Sequence, residues 1–500
     1  MSTLKKFAGQ TLIYGLSTVI ARLFNFVLTP LFVKKYPAGV YGIFTTVYAW
    51  AAILNAIIAF GMETTFFRYL QKNKDNKEKV YNNTFFVILF MVLIFICTTV
   101  LFTREIASWV LSGENLSDAT KYIQFFVFIL SADAIAVIPF AKIRADERPL
   151  RYGMIKLINI LIFVCFSIFF IVIIPILLKN NSIGSEWIAT WYQPGWIGYV
   201  FIANLIASIA TLLLLLPEIL QIRFQIEKAL ILDMFWYSFP ILIANISFII
   251  NENLDKIFLS KLLPEEVSKV ALGTYGAVQK LAIFLSIFVQ AFRLGAEPFF
   301  FSHAKNPNSG KTYALIMDYF IIGMSLVMVG LVANIEILKH FIKGGDVVEQ
   351  AQYWSGLPVV PVLLMGYIFL GIYMNLSIWY KLSDQTRFGL YISVVGAIIT
   401  IVFNLIFIPK YSFYASAWIT MFVYFSMMVL SFLLGQKNHP IPYHVLKNVL
   451  YILAAAGLSW LSFSVFKQNL IIGNILFSLF LLVTTWIEWK QLSVFIIRKK

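Results

Sequence analysis

The chain alternates between long apolar runs and short polar interruptions. A membrane-crossing helix needs about 20 mostly apolar residues to span roughly 30 Å of hydrocarbon. Windows of that kind recur fourteen times, at about 11–33, 40–69, 82–102, 119–141, 153–178, 196–216, 233–262, 273–301, 313–335, 357–380, 389–409, 411–435, 445–466 and 470–489. The runs do not alternate residue by residue, and they are about twice as long as the strand of a membrane barrel. Backbone groups inside hydrocarbon must be satisfied within their own segment, so helices are predicted throughout. The reading is an all-α polytopic membrane protein with about fourteen transmembrane helices. The first run shows no small-residue cleavage site after a short hydrophobic core, so it reads as a retained helix and not a signal peptide.

Composition supports this pattern and removes other classes. Of the 500 residues 60% are hydrophobic and only 13% charged, against about a quarter charged in ordinary soluble domains. A soluble enzyme is excluded. The net charge of +15 is scattered over short loops and forms no basic domain, so no nucleic-acid partner is expected. Cys97 and Cys165 lie inside apolar runs, which excludes a disulfide framework or a cysteine metal site. His303, His340, His439 and His444 fall in loops or at their edges, and no carboxylate cluster joins them. There is no P-loop. No enzyme activity, metal or cofactor is expected.

Charge also orients the chain. Of the 39 Lys and Arg, 23 fall on the side of the N-terminus, 11 on the opposite side and five within spans. The positive-inside rule therefore places both termini in the cytoplasm. The largest loop on the far side, 179–195, carries Trp187, Trp191 and Tyr192, with Trp196 following. This reads as an interfacial aromatic belt, with a sugar-stacking platform as the alternative.

An internal repeat organises the spans. A shift of 234 lays residues 22–67 over 256–301 without gaps, and thirteen of the 46 positions are identical. Shared residues include Pro30/Pro264, Gly39/Gly273, Tyr41/Tyr275, Gly42/Gly276, Gly61/Gly295 and Glu63/Glu297, and Arg22 lies over Lys256. The shift maps span 1 onto span 7, so the halves share one orientation. Two parallel six-helix repeats are expected, as in parallel-repeat transporters. The predicted division is 1–230, 231–436, and 437–500 for two additional helices and a basic tail. The substrate site is expected in the cleft between the two six-helix lobes.

Ionisable groups inside the spans are costly, about 2.5–3.5 kcal/mol each, and should face protein or a water-filled space. Span 7 holds Glu252, Asp255 and Lys256 on one helical face. Span 8 holds Lys280, Arg293 and Glu297. Arg22 and Lys280 have no acidic partner in their own helices, so they are candidates for an anionic ligand, as are Lys256 and Arg293. The bland reading pairs Glu252 with Lys256 and Arg293 with Glu297 at i,i+4. Glu63 and Glu297 suit gating, helix packing or ion coupling. Asp133, in span 4, suits a proton or sodium site, or a hydrogen bond to a neighbouring helix.

The stretch "GLSTVIARLFNFVLTPLFVKKYPAGVYGIFTTVYA", Gly15 to Ala49, resembles the start of Wzx-type polysaccharide flippases. These belong to the multidrug/oligosaccharidyl-lipid/polysaccharide exporter superfamily. In them a first helix ends in Pro, and a Tyr-Gly opens the second helix; here these are Pro30, Tyr41 and Gly42. The second half is similar, with Asp255-Lys256 in "NLDKIFLSKLL" and Tyr275-Gly276 in "GTYGAVQKLA". The resemblance implies a MATE-like fold. It implies a flippase that carries undecaprenyl-diphosphate-linked oligosaccharide from the cytoplasmic to the outer leaflet of the bacterial inner membrane, for lipopolysaccharide, O-antigen or other polysaccharide. Implied partners are that lipid, the bilayer, H+ or Na+, and polymerase or ligase machinery. The alternatives are a lipid II flippase and a multidrug/cation antiporter of the same superfamily. Spans 13–14 and the basic character of the polar lining argue against the antiporter.

Overall fold

The computed structural model describes residues 26–497 apart from 74, 183, 304–307 and 384; the side chains of 294, 295, 297, 298, 301–303 and 490–497 are also outside the description. Among the described residues every regular element is helical. We number the principal helices α1 (Thr29–Lys35), α2 (Ala38–Ala59), α3 (Met62–Lys72), α4 (Lys77–Leu101), α5 (Thr103–Val110), α6 (Leu116–Ala145), α7 (Pro149–Ile168) and α8 (Gly198–Leu214). The second half of the chain contributes α9 (Lys228–Leu262), α10 (Glu265–His303), α11 (Ser309–Ala333), α12 (Val360–Leu376), α13 (Arg387–Asn438), α14 (Val445–Trp460) and α15 (Leu470–Ile497).

Eleven described helices are long and apolar enough to cross a membrane, and Gly198–Leu214 is a shorter apolar one. The 52-residue α13 is two spans joined without a loop. Ser412, at φ 52 and ψ −141, breaks it three residues after Pro409, which cannot donate to the helix. The expected spans 11 and 12 thus meet at a sharp reversal. With that division the described helices supply thirteen of the fourteen expected spans, and the first expected span lies mostly outside the described residues. The protein is a multi-pass membrane protein.

Large apolar side chains such as Leu93, Leu213 and Trp486 point outward. They suit a hydrocarbon environment, where burial against lipid replaces burial against protein. Inside, α6, α7 and α8 pack on one another, α9 packs along α13, and α12 lies against α10 and α13. The two halves of the chain meet mainly where α2 packs against α9 and α10.

That contact explains the glycines of the repeat. A Cβ at Gly42 would overlap the Lys269 carbonyl, one at Gly273 the Ala38 carbonyl, and one at Gly276 the Thr45 hydroxyl. The repeated glycines of both halves therefore lie in one contact between α2 and α10, and only glycine lets the backbones approach so closely.

Helices α14 and α15 dock on α11. At one end Asn334 and Asn474 exchange side-chain amide bonds of 3.2 and 3.1 Å, and Gly330 and Gly473 allow close packing. Nearer the other end two buried acids, Asp318 and Glu488, meet more exposed basic side chains. His444 Nδ1 is 2.7 Å from Asp318 Oδ2, and Lys447 Nζ is 2.8 Å from Glu488 Oε1. The Tyr451 hydroxyl also donates to Glu488, at 3.1 Å. Asp318 brings a single carboxylate to His444 from span 9, remote in sequence.

Candidate functional site

Between the halves lies a cleft of about 340 Å³. Its walls come from α2, α9, α10, α12 and α13, and its polar lining includes Thr45, Glu252, Asn253, Lys256, Gln279 and Lys280. Phe26, Tyr41, Phe44, Tyr48, Tyr367 and Tyr424 supply aromatic surface.

Lys256 is held tightly. Its Nζ donates to the Glu252 backbone carbonyl at 2.8 Å and lies 3.3 Å from Asp255 Oδ1. Asp255 Oδ2 accepts the Tyr275 hydroxyl at 2.8 Å. Both members of this ion pair are buried. The acidic partner is thus the adjacent residue, whereas i,i+4 spacing pointed to Glu252; the link to Glu252 runs through its main chain.

Lys280, one turn beyond Gly276 on α10, is half-buried in the same cleft. Among the described residues its amine has no hydrogen-bond or ion-pair partner. It lies close enough to Lys256 for the two like charges to repel. Two ammonium groups held together inside apolar walls, only one of them neutralised, form a site for an anion with several oxygens.

The remaining candidates are placed as follows. Arg22 lies outside the described residues, as does the side chain of Glu297. Arg293 is exposed and lines a separate narrow crevice with Lys381 and Asn375. It lies thirteen residues beyond Lys280, about 20 Å along the helix at 1.5 Å per residue, and is not brought together with Lys256. Glu63 forms an ion pair with Arg144, whose guanidinium sits 5.0 Å from the Phe67 ring centroid. The two left-handed residues Phe60 and Gly61 break the helix just before Glu63 and turn it toward α6. Asp133 accepts a 2.8 Å hydrogen bond from Ser208 of α8 and feels the charge of Lys156 on α7.

In the aromatic loop, Tyr192 stacks on Tyr199 at 4.9 Å and donates its hydroxyl to the Phe170 carbonyl. Trp187 is exposed.

Three features escaped the sequence. One is a seam between the halves on the face bearing the 102–115 loop. There Lys269 Nζ bonds the Gly113 carbonyl and Glu114 Oε1, each at 2.8 Å. Lys261 bonds the Trp109 carbonyl, and the Tyr353 hydroxyl donates to the Tyr36 carbonyl at 2.9 Å. Another is Tyr48, whose hydroxyl accepts from Asn204 at 2.8 Å. The third is the Asp318–Glu488 group; each of these acids sits alone in an apolar run, and that was the signal available for finding them.

The family model described as "Polysaccharide biosynthesis protein" matches residues 7–296, over half of the chain. The chain belongs to the polysaccharide biosynthesis protein family. The MatE family model matches residues 240–406. A sequence search of curated proteins finds no match.

Among solved structures, the fold is similar to the lipid II flippase MurJ in an inward closed conformation. The TM-score is 0.71 at 15% identity, over 96% of this chain and 99% of that one. It is also similar to an inward-facing multidrug resistance MATE family transporter of the MOP superfamily, with TM-score 0.62 at 11% identity, over 89% and 99%. A MOP superfamily transporter from Pyrococcus furiosus, titled for the reverse polarity of its binding pocket, gives TM-score 0.57 at 11% identity, over 90% and 96%. The fold is that of the MOP superfamily.

Proposed function

We propose that this protein is a flippase for an undecaprenyl-diphosphate-linked oligosaccharide, moving it from the cytoplasmic to the outer leaflet of the bacterial inner membrane. The observation that carries the reading is the cleft between the halves with Lys256 and the unpartnered Lys280 in its wall. A diphosphate and its sugars cannot enter hydrocarbon unaided, because each unsatisfied polar group costs several kcal/mol. Ammonium groups replace water around the phosphates, while the lipid tail stays in the bilayer.

Residues 1–230 and 231–436 act as two lobes that rock about the cleft, with 437–500 riding on the second. The seam at Lys269 is the outer gate in its closed state, and both termini lie in the cytoplasm. An inside-negative potential of 100 mV favours carrying about two negative charges outward by about 4–5 kcal/mol. Asp133, next to Ser208 and Lys156, is the ion-coupling candidate. A multidrug/cation antiporter is disfavoured by a lining with two lysines and one carboxylate. A lipid II flippase remains the second reading, because MurJ shares the fold.

The test is a deletion strain complemented with the wild-type gene or with Lys280→Ala. Loss of surface polysaccharide, with lipid-linked repeat units trapped in the inner leaflet, is expected for both the deletion and the variant. Normal polymer in the deletion strain rejects the reading. Arrest of peptidoglycan synthesis in its place selects the lipid II alternative.

A further inference from the structure

The two kinds of chemistry in the cleft are not mixed. Among the described lining residues, both cations lie on α9 and α10 of the second half. The surface contributed by α2 of the first half is uncharged and largely aromatic. The repeat makes the contrast sharper: Lys280 and Gln279 occupy the positions that Thr46 and Thr45 hold in α2.

Tyr41, Phe44 and Tyr48 are three and four residues apart and share one helical face. Their rings form a continuous ladder, with centroids 5.3 Å apart for Tyr41–Phe44 and 4.4 Å for Phe44–Tyr48. Tyr41 at the ladder's end is buried, but Phe44 and Tyr48 are only half-buried where they line the cleft. Tyr48 is also braced from behind. Phe126 meets it edge-on at 5.1 Å, and Asn204 holds its hydroxyl. A ring so fixed loses little freedom when a ligand covers it.

We infer that the cleft binds its substrate in one fixed direction, with the diphosphate on Lys256 and Lys280 and the first sugars of the oligosaccharide on the Phe44–Tyr48 ladder. The inference rests on the flippase reading. An aromatic face carries negative charge density that attracts the polarised C–H groups of a sugar ring, and it packs against their apolar side. Thr45 and Gln279 border the ladder and offer a hydroxyl and an amide for sugar hydroxyls. Stacking of this kind tolerates different sugars.

The experiment measures Kd of the purified full-length protein for two probes. One is undecaprenyl diphosphate. The other is the lipid-linked repeat unit extracted from cells lacking the gene. Phe44→Leu and Tyr48→Leu keep apolar volume and remove the ring. Each is expected to weaken the repeat unit about tenfold, in the range of one aromatic contact, and to leave undecaprenyl diphosphate within about twofold. Retained binding of undecaprenyl diphosphate also establishes that the variants fold. Tyr48→Phe keeps the ring but loses its hydrogen bond to Asn204, and is expected to bind the repeat unit more weakly than the wild type and more tightly than Tyr48→Leu, while Lys280→Ala weakens both probes. Equal weakening of both probes by the leucine variants, or no weakening of either, overturns the inference. Failure of the wild-type protein to bind either probe rejects the flippase reading itself.

Discussion

Lys269 Nζ lies 2.8 Å from Glu114 Oε1, joining the second half of the chain to the first. Lys269 is at the same time 3.4 Å from Glu265 of its own helix, so one ammonium serves two carboxylates. The side chains are 27% and 22% exposed, which makes the bridge stronger than a fully solvated pair but well short of a buried one. Breaking it with Glu114→Ala should favour the opposite opening by about 1 kcal/mol, a shift of about fivefold. The readout is labelling of Ser286→Cys, in the cleft wall, by an impermeant thiol reagent added outside to cells lacking Cys97 and Cys165. Faster labelling is expected, and an unchanged rate would reject the bridge as a brake on opening.

The glycine contact beneath that bridge should tolerate nothing larger. At Gly273 the added atom would meet backbone, the Ala38 carbonyl, which cannot move aside as a side chain can. Gly273→Ala is expected to cost about 1–3 kcal/mol of the closed state. Gly323, where a Cβ would meet nothing within 4 Å, is the control. Thermal melting of the purified variants compares the two, and equal melting temperatures would reject the assigned contact.

The two lysines of the cleft should separate function from stability. Lys280→Ala removes an amine that pairs with no described residue, so melting should hold or rise while transport is lost. Lys256→Ala leaves Asp255 buried without its cation, a loss of about 3–5 kcal/mol. Adding Asp255→Asn should recover most of the melting temperature but not the transport.

Helices α14 and α15 should loosen when their charged anchor is cut. Glu488→Ala leaves Lys447 and Tyr451 without the acid that holds both, at a cost of about 3 kcal/mol. The docking is read at the far end, by disulfide formation between cysteines placed at Asn334 and Asn474. Slower or incomplete cross-linking in the Glu488→Ala protein is the expected result.

Much of the site was legible as residue types and little of it as partnerships. The in-span lysines marked the cleft, because a charge in an apolar run has few other uses. Asp255 was placed on the right face, yet its role as the partner of Lys256 was not foreseen, since side-chain rotamers let an adjacent residue compete with the i,i+4 position. Arg293 shares a helix with Lys280 but not a cavity, because a long helix crosses several environments. Asp318 and Glu488 each stand alone in an apolar run, and what they do shows only once Lys447 lies between them.

The number and length of the spans were determined by the sequence alone. Hydrocarbon thickness and the need to satisfy each backbone group locally are tests that consecutive residues pass or fail by themselves. The repeat was likewise visible, as matched Gly, Tyr and Glu at one offset. Only the tertiary structure decided that Gly42 and Gly273 belong to one contact, that Lys269 reaches Glu114, and that the cations line the cleft from one half and the aromatic ladder from the other. Those facts depend on how each helix is rotated and which neighbour it meets. Packing of small residues and a few buried polar bonds decides that, and hydropathy does not register it.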